Sequence, residues 1–332
     1  MFDTDAETKN CKSQIDSVPH TSHYSKTLKV VSLFAGCGGM DLGFRGGFDF
    51  LGKRYPKNKF DILWANDFSQ AACQTYALNV GKHIHHGDIW NEMDHAPLTA
   101  DVVIGGFPCQ DISINGKGAG VDGKRSGLYR AMVEVVKRCR PKIFVAENVK
   151  GLLMRHNAES LQRVLNDFEK LGYELSYQLY LAADYGVPQA RERVIIIGRL
   201  PEVKCFVPPK PTLSRTEHVT ASAAVIDLEN MPENEQFNHV WSRANKSSEQ
   251  GSRKLSADRP SQTIRAECHG NIQFHYSLNR RISMREAARF QSFPDDFVFQ
   301  GGLRQTERQV GNAVPPVLAW HIARAVQKTL LR

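Results

Sequence analysis

Residues 28–44, LKVVSLFAGCGGMDLGF, decide the fold, because an apolar run passes through a glycine-rich turn into a helix-like segment. Gly36, Gly38 and Gly39 in this turn let the backbone approach a ligand closely, as the turns of dinucleotide-type sites do. The spacing departs from GxGxxG, which disfavours a nicotinamide cofactor, and the sequence has no Gly-Lys-Ser/Thr loop for a nucleoside triphosphate. The turn therefore indicates a ligand-binding strand end of another kind.

The alternation of strand-like and helix-like segments continues to about residue 199. Near-continuous apolar runs recur at 60–67, 102–107, 142–148 and 193–200, with helical spacing between them at 68–80, 127–139 and 160–172. This order predicts an α/β fold with a mostly parallel sheet that is buried on both faces. Few periodic segments follow residue 200, which predicts a boundary near 200–205 and a smaller, loop-rich second domain. A final helix is predicted at 315–330.

Composition and charge exclude several classes of protein. No apolar run approaches the ~18 residues of a membrane span, and the polar residues 1–27 are expected to be a flexible extension rather than a signal peptide. The seven scattered cysteines form no CxxC pair, which disfavours a disulfide framework and a zinc site and fits a reducing cytoplasm. The net charge of +8 favours a polyanionic partner, and residues 243–289 hold ten Lys or Arg against four Asp or Glu. We therefore expect a cytoplasmic protein without a metal that meets a polyanion through its C-terminal third.

Acidic residues follow two further strand-like segments. Asp67 ends the run at 60–67, where a carboxylate can hold ribose hydroxyls, and Asp88 stands where it can meet an adenine amino group. Each acid alone is more often a structural residue. Together with the glycine turn they favour a nucleoside ligand at one edge of the sheet.

Cys109 lies in a Pro-Cys-Gln turn directly after an apolar run, where an isolated cysteine is commonly an inert packing residue. Glu147 lies at the end of another strand-like segment, at the same edge of the predicted sheet. Arg191 and Arg193 precede the next apolar strand, and their alternate spacing points both side chains to the same side. A salt bridge between Glu147 and one of these arginines is the structural alternative, and it is compatible with catalysis. A thiol, a carboxyl group and an arginine around one pocket suit attack on an electron-poor ring such as a pyrimidine.

The motifs FAGCGG, PCQ, ENV, QARER and GNAVPP, in this order and spacing, closely resemble those of the C5-cytosine DNA methyltransferases of bacterial restriction–modification systems. The resemblance covers about residues 28–330. It implies a Rossmann-like catalytic domain at 28–200, completed by 306–332, and a target-recognition domain at 201–305. It also implies transfer of a methyl group from S-adenosyl-L-methionine to C5 of a flipped cytosine in double-stranded DNA, which leaves S-adenosyl-L-homocysteine.

The resemblance also implies roles for individual residues. Cys109 would be the nucleophile that adds to cytosine C6, Glu147 would bind the base at N3 and N4, and Arg193 would contact O2. Arg191 and Gln189 would support them. The implied cofactor-binding residues are Phe34, Gly36, Gly38, Asp67, Phe68, Asp88, Ile89, Pro108, Leu128, Asn312 and Ala313. The implied DNA-binding residues are Ser113, Asn115, Lys117, Arg125, Thr263 and Arg265, and the candidate base readers are Arg243, Arg253, Arg265 and His269.

Two positions depart from the family pattern. Asp67 stands where the family usually has Glu, which predicts a small shift in the ribose contact. Cys37 replaces a residue that is usually small or apolar, and it is predicted to pack in the core.

Three alternative functions differ from DNA methylation in the nucleic acid or in the class of protein. An RNA methyltransferase of the transfer-RNA type would share the chemistry, but the variable segment 201–250 favours DNA. A non-catalytic DNA- or cofactor-binding regulator would be expected to lose Cys109, Glu147 or Arg193. A nicotinamide oxidoreductase leaves PCQ and QARER unexplained. We expect a monomer on DNA, with a cognate restriction endonuclease that acts independently on the same short sequence.

Overall fold

The computed structural model describes residues 27–108, 127–244, 253–266 and 272–331. The strands in these ranges are β1 (Leu28–Leu33), β2 (Phe48–Phe50), β3 (Lys53–Tyr55), β4 (Phe60–Asp67), β5 (Ile84–His86), β6 (Val102–Gly105), β7 (Ile143–Val149), β8 (Glu174–Leu181), β9 (Gln189–Ala190), β10 (Glu192–Arg199) and β11 (Ser261–Gln262). The helices are α1 (Gly39–Arg45), α2 (Gln70–Asn79), α3 (Ile89–Glu92), α4 (Leu128–Cys139), α5 (Ala158–Glu169), α6 (Ala221–Val225), α7 (Met284–Phe290), α8 (Leu303–Asn312) and α9 (Pro316–Leu330).

One sheet dominates the fold, with seven strands in the order β5-β4-β1-β6-β7-β10-β8. The pairs β5–β4, β4–β1, β1–β6 and β6–β7 are parallel. Strand β10 runs antiparallel to both β7 and β8. The predicted mostly parallel α/β fold is therefore confirmed, with one reversed strand.

The apolar runs form the central strands because both faces of the sheet are covered. Val30 of β1 belongs to a core that includes residues of α1, α7 and α9, whereas its neighbour Val31 faces a core built with α4 and α5. Successive side chains of a strand point to opposite faces, so a strand buried on both sides must be apolar at every position. This is why continuous runs, rather than alternating ones, mark β1, β6, β7 and β10.

Strand β8 was not predicted from the sequence. Its residues ELSYQLYL are mostly exposed or half-buried, and it pairs only with β10, so it forms one edge of the sheet. An edge strand needs no continuous apolar run, because its outer side meets solvent. The short strands β2 and β3 form a separate hairpin that was also not predicted.

Helix α9 packs on α1, which brings the end of the described chain back to its beginning. A Cβ atom at Gly43 of α1 would come 2.6 Å from the carbonyl oxygen of Pro316, so glycine allows the two helices to approach closely. The region after residue 200 is sparse in regular structure: within its described part up to residue 283, α6 and β11 are the helix and strand present. Its Ile264 lies in the same core as Val30, and the domain boundary near 200–205 stays a prediction.

Cysteine placement follows the sequence expectation at most of the described positions. Cys37, Cys73 and Cys139 are buried free thiols, and burial raises the pKa of the Cys37 thiol, as suits a packing residue. Cys205 is disulfide-bonded, which corrects the expectation of unpaired cysteines at that position. Among the described residues, no helix combines the length and apolar character needed to span a bilayer.

Candidate active site

A cavity of about 540 Å³ lies at the carboxyl ends of β1, β4, β6 and β7. Open α/β sheets bind their ligands at this edge, because the loops that leave the strands diverge there. The cavity brings together residues that the sequence placed in the catalytic and cofactor sets. Those that line it are Phe34, Gly36, Asp67, Phe68, Pro108, Leu128, Glu147, Arg191, Arg193, Asn312 and Ala313.

The glycine turn after β1 is held by the acid that ends β4. Asp67 Oδ2 accepts a hydrogen bond from the backbone N–H of Gly36 at 2.8 Å, and Oδ1 accepts one from Ser69 N–H at 2.8 Å. Burial raises the pKa of Asp67, and these two N–H donors oppose the shift. Phe34 adopts a φ of +54°, a left-handed conformation that is strained for a non-glycine residue. The strained turn is thus fixed against β4 at the wall of the cavity.

Phe68 follows Asp67 and leaves 78% of its surface exposed, although it is aromatic. An exposed aromatic ring beside a cavity offers a flat apolar face on which a planar heterocycle can stack. Pro108 and Leu128 add apolar surface to the same cavity. The donor set therefore fits a nucleoside ligand: an aromatic face, a carboxylate and a closely approaching backbone turn.

Glu147 and Arg193 form an ion pair in the cavity wall, with Arg193 Nε 2.7 Å from Glu147 Oε1. Both side chains are about nine-tenths buried, at 10% exposure each. They meet because β10 is antiparallel to β7, so the first residues of β10 lie beside the last residues of β7. The salt bridge that the sequence offered as the structural alternative is present, and it faces the cavity. A charged carboxylate held in this way can accept hydrogen bonds from a ring.

Asn148 anchors the segment that leads from β6 toward residue 109. Its Nδ2 donates to the carbonyl oxygen of Phe107 at 2.9 Å, and its Oδ1 accepts from Val149 N–H at 2.9 Å. Gly106 leaves room for the Glu147 carboxylate, because a Cβ there would come 3.0 Å from Glu147 Oε2. Both features fix the chain up to Pro108, the last residue described before Gly127.

Six of the predicted site residues lie outside the described residues. They are Cys109, Ser113, Asn115, Lys117, Arg125 and the candidate base reader His269.

Arg191 joins three segments of the chain. It is almost fully buried and donates to the carbonyl oxygens of Ile264, Gly311 and Ala313 at 3.0, 2.9 and 3.0 Å. Burial lowers the pKa of its guanidinium well below the usual value, and the nearby Arg193 charge adds to this effect. Arg191 therefore fixes the GNAVPP segment and residue 264 against the cavity wall.

Four residues of the predicted catalytic and cofactor-binding sets do not line the cavity. Gln189 is buried, and its side chain bonds the backbone carbonyl of Phe290 and the backbone N–H of Ile264, each at 3.0 Å. A Cβ at Gly38 would press on side chains of α2, so this glycine serves helix packing. Asp88 caps α3 and Ile89 is buried in the core. Gln189 thus supports the site from behind, and the cofactor roles of the other three stay predictions.

The predicted DNA-facing residues are spread over the C-terminal third. The Thr263 hydroxyl donates to the Ala190 carbonyl oxygen at 3.0 Å, and Arg265 next to it is exposed. Arg243 and Arg253 are also exposed, and Arg243 lies over the Trp241 ring at 5.2 Å from its centre. Exposure permits contact with a nucleic acid, and the DNA-binding roles stay predictions.

Sequence reasoning missed several residues of the cavity. Gln305, Arg308 and Gln309 of α8 line it beside Asn312. Their spacing of i, i+3, i+4 and i+7 puts them on one face of the helix, and this periodicity upstream of GNAVPP was the available signal. Asp41 of α1 also lines the cavity; it is fully buried, and burial raises its pKa to about 6 although Ser32 and Tyr76 bond to it. A carboxylate among the apolar residues of a helix was the signal there.

The sheet, with its cavity at the carboxyl edge, has the α/β fold of a solved methyltransferase. The structure superposes on the Dnmt2 methyltransferase of S. pombe with a TM-score of 0.68 at 19% identity, covering 91% of this chain and 99% of that one. Residues 28–328 match the family described as C-5 cytosine-specific DNA methylase, and the chain belongs to that family. It is a DNA cytosine-5-methyltransferase, and its family implies S-adenosylmethionine as methyl donor and DNA as substrate.

Relatives within the family are named Type II methyltransferases. M.NgoFVII of Neisseria gonorrhoeae is 37% identical over 335 residues, which cover 90% of this chain and 86% of the relative. M.MthTI of Methanothermobacter thermautotrophicus is 35% identical over 340 residues, covering 91% and 98%. Both alignments extend over nearly the whole of each protein.

Proposed function

We propose that the chain methylates C5 of a flipped cytosine in a specific short sequence of duplex DNA, through a covalent bond between Cys109 and cytosine C6. One observation carries the proposal: the Glu147–Arg193 ion pair and the strained turn at Phe34 line a single cavity that Pro108, the neighbour of Cys109, also lines. The residues suited to bind a nucleobase and those suited to bind a nucleoside cofactor thus lie in the cavity that ends at Pro108, the residue before Cys109.

The covalent step accounts for the chemistry at an unreactive ring carbon. The Cys109 thiolate forms a bond to C6, and an electron pair of the ring shifts to C5. C5 then takes the methyl group from the sulfonium of S-adenosylmethionine, and the electron pair of the broken carbon–sulfur bond stays on the departing S-adenosylhomocysteine. A base such as water removes the C5 proton, and the electron pair left behind expels the Cys109 sulfur from C6. Atoms and charges balance, and the thiolate is restored.

Glu147 and Arg193 are the groups suited to hold the base during this cycle. The Glu147 carboxyl group would accept a hydrogen bond from the N4 amino group and support protonation at N3, which stabilises the ring as negative charge develops. Arg193 would donate to O2. Their ion pair keeps both side chains oriented before a base arrives, so little reorganisation is needed.

The other half of the cavity fits the methyl donor. S-adenosylmethionine supplies the methyl group when it is bound. Asp67 would bind the ribose hydroxyls, Phe68 would stack on the adenine, and the backbone at Gly36 would allow close approach. Asn312 and Ala313 would close the cavity from the C-terminal side, where Arg191 holds the Ala313 carbonyl oxygen.

The target cytosine must leave the helix stack for C6 to be reached. Flipping costs a few kcal/mol, which contacts to the DNA backbone and neighbouring bases offset. The net charge of +8 and the exposed Arg243, Arg253 and Arg265 support such contacts. We further infer a monomer that modifies the site of a cognate restriction endonuclease, because the relatives are named Type II methyltransferases.

Trapping on duplex DNA that carries 5-fluorocytosine tests the covalent step. Fluorine at C5 cannot leave as a proton does, so wild type with S-adenosylmethionine should accumulate a complex that survives denaturing electrophoresis. Cys109→Ser should give none, whereas Cys11→Ser, outside the family match that begins at residue 28, should trap as wild type does. An adduct that forms on structured RNA and not on DNA would show that the substrate is RNA. Trapping by Cys109→Ser would refute the assignment of the nucleophile.

A further inference from the structure

Three potential metal ligands converge outside the cavity, on the surface formed by β5 and the turn after α3. His85, Glu92 and His95 each offer one ligand atom, and these atoms all lie within 4.8 Å of one another. The Glu92 carboxylate stands between the two imidazoles, with Oε2 3.7 Å from His85 Nδ1 and 3.2 Å from His95 Nδ1. The two rings face each other nearly in parallel, at 6.0 Å between centres.

These spacings are close to those that a small tetrahedral cation imposes. Bonds of about 2.0–2.1 Å at tetrahedral angles put neighbouring ligand atoms roughly 3.4 Å apart. Two of the three separations, 3.2 and 3.7 Å, lie on either side of that value, and the third is within 4.8 Å. Two imidazoles and one carboxylate form the donor set of zinc sites that keep a fourth position for water. The cluster therefore needs only small side-chain movements to bind a cation.

Backbone contacts hold the three residues in place. A Cβ at Gly87 would come 2.9 Å from the Glu92 side chain, so this glycine gives the carboxylate its position beside β5. The turn that carries His95 is tied to α4, because Arg138 donates to the Met93 carbonyl oxygen at 3.1 Å. Ligands on anchored backbone lose little conformational freedom when a metal binds.

We propose that His85, Glu92 and His95 form a structural binding site for a first-row transition metal ion of the Zn²⁺ type, with water as the remaining ligand. The three residues are spaced His-x6-Glu-x2-His and include no cysteine. The absence of CxxC pairs, which disfavours a cysteine-bound zinc site, therefore does not exclude this one.

The site adjoins the strand end that carries the predicted adenine-stacking ring. His86, next to His85, contacts the Phe68 carbonyl oxygen through Nε2 at 3.1 Å, and Gly87 N–H donates to the Asp67 carbonyl oxygen at 3.1 Å. A metal on His85 would therefore restrain β5 against the end of β4. Its expected effect is on stability, and it is independent of the methyl-transfer proposal.

Calorimetric titration of tag-free protein with Zn²⁺ alone tests the proposal. Wild type should bind an ion that Glu92→Gln and His95→Ala bind at least ten-fold more weakly, since each variant removes one of three protein ligands. His156→Ala, an exposed histidine in another turn, is the matched control and should bind as wild type does. Zn²⁺ at 100-fold excess over Kd should also raise the Tm of wild type and of the control by about 3–5 °C.

Two results would overturn the proposal. Equal Zn²⁺ affinity in wild type, Glu92→Gln and His95→Ala would assign the binding to other histidines or to thiols. No Zn²⁺ binding by wild type near neutral pH would leave the cluster as a hydrogen-bonded group. Because Glu92→Gln keeps the shape of the side chain, it separates loss of a ligand from loss of the fold, which the Tm without metal checks directly.

Discussion

Replacing Asp41 by asparagine tests whether the cavity keeps a carboxylate at a cost to stability. Asp41 is fully buried, and burial raises its pKa from 3.8 to about 6. The native state therefore holds the proton more tightly than the unfolded chain does. The stability that this proton confers is complete below about pH 4 and is lost as the pH rises through 6. A shift of about two pKa units corresponds to about 3 kcal/mol above pH 6.

The variant Asp41→Asn is neutral at every pH, so its stability relative to wild type should rise with pH. Linkage with these two pKa values gives an advantage of about 2 kcal/mol at pH 5 and about 3 kcal/mol at pH 7.5. Loss or gain of hydrogen bonds by the amide shifts both values equally. The growth of about 1 kcal/mol between the two pH values therefore isolates the charge.

Urea denaturation at pH 5 and pH 7.5 measures this difference from the midpoints and slopes. Asp296→Asn, which removes an exposed carboxylate, is the matched control and should show no comparable growth. An Asp41→Asn variant whose advantage is the same at both pH values would refute the reasoning, because the native carboxyl group would then titrate as in the unfolded chain.

Three further substitutions test other features. Asn148→Ala should slow covalent trapping about ten-fold in single-turnover experiments. It loses one buried hydrogen bond of about 1–1.5 kcal/mol, which frees the segment before Cys109. An unchanged rate would mean that the hydrogen bond to Phe107 is not needed for trapping. Gly198→Ala should lower the free energy of unfolding by about 1–3 kcal/mol, because the new Cβ would overlap the Phe144 ring. An unchanged urea midpoint would contradict this overlap. Arg308→Ala should weaken S-adenosylmethionine binding about 2–5-fold by calorimetry, because an exposed cation at the cavity can pair with the carboxylate of the cofactor. Arg304→Ala, one turn earlier on the same helix, should leave that affinity unchanged.

The sequence predicted the buried parts of the fold well because burial on both faces leaves a simple signal. The runs that became β1, β6, β7 and β10 are apolar at nearly every position, and the helices α4 and α5 show clear periodicity. Strand β8 was missed because its outer edge meets solvent and its composition is mixed. The pairing of strands, including the reversal of β10, is a long-range property that no local pattern encodes.

Site residues were predicted as members of motifs. A motif does not tell which of its residues line the cavity and which only hold the neighbouring chain in place. Arg193 lines the cavity, whereas Gln189 in the same motif bonds the Phe290 carbonyl oxygen, the Ile264 N–H and the Gln291 side chain behind it. Asp88 likewise caps a helix, which requires the same residue type at the same position. Whether such a side chain turns toward the cavity depends on what packs behind it, and that information lies in distant segments such as residues 264 and 311–313.

The pairing of β7 with β10 makes the Glu147–Arg193 contact a property of main-chain register. Val149 lies opposite Arg193 and Ile195 opposite Glu147. Slipping β10 by one residue would turn Arg193 to the other face of the sheet, and slipping it by two would carry it about 6.8 Å along the strand. The geometry of this ion pair is thus set by a backbone ladder rather than by the loops around it. Changes in the length of those loops can accumulate without separating Glu147 from Arg193.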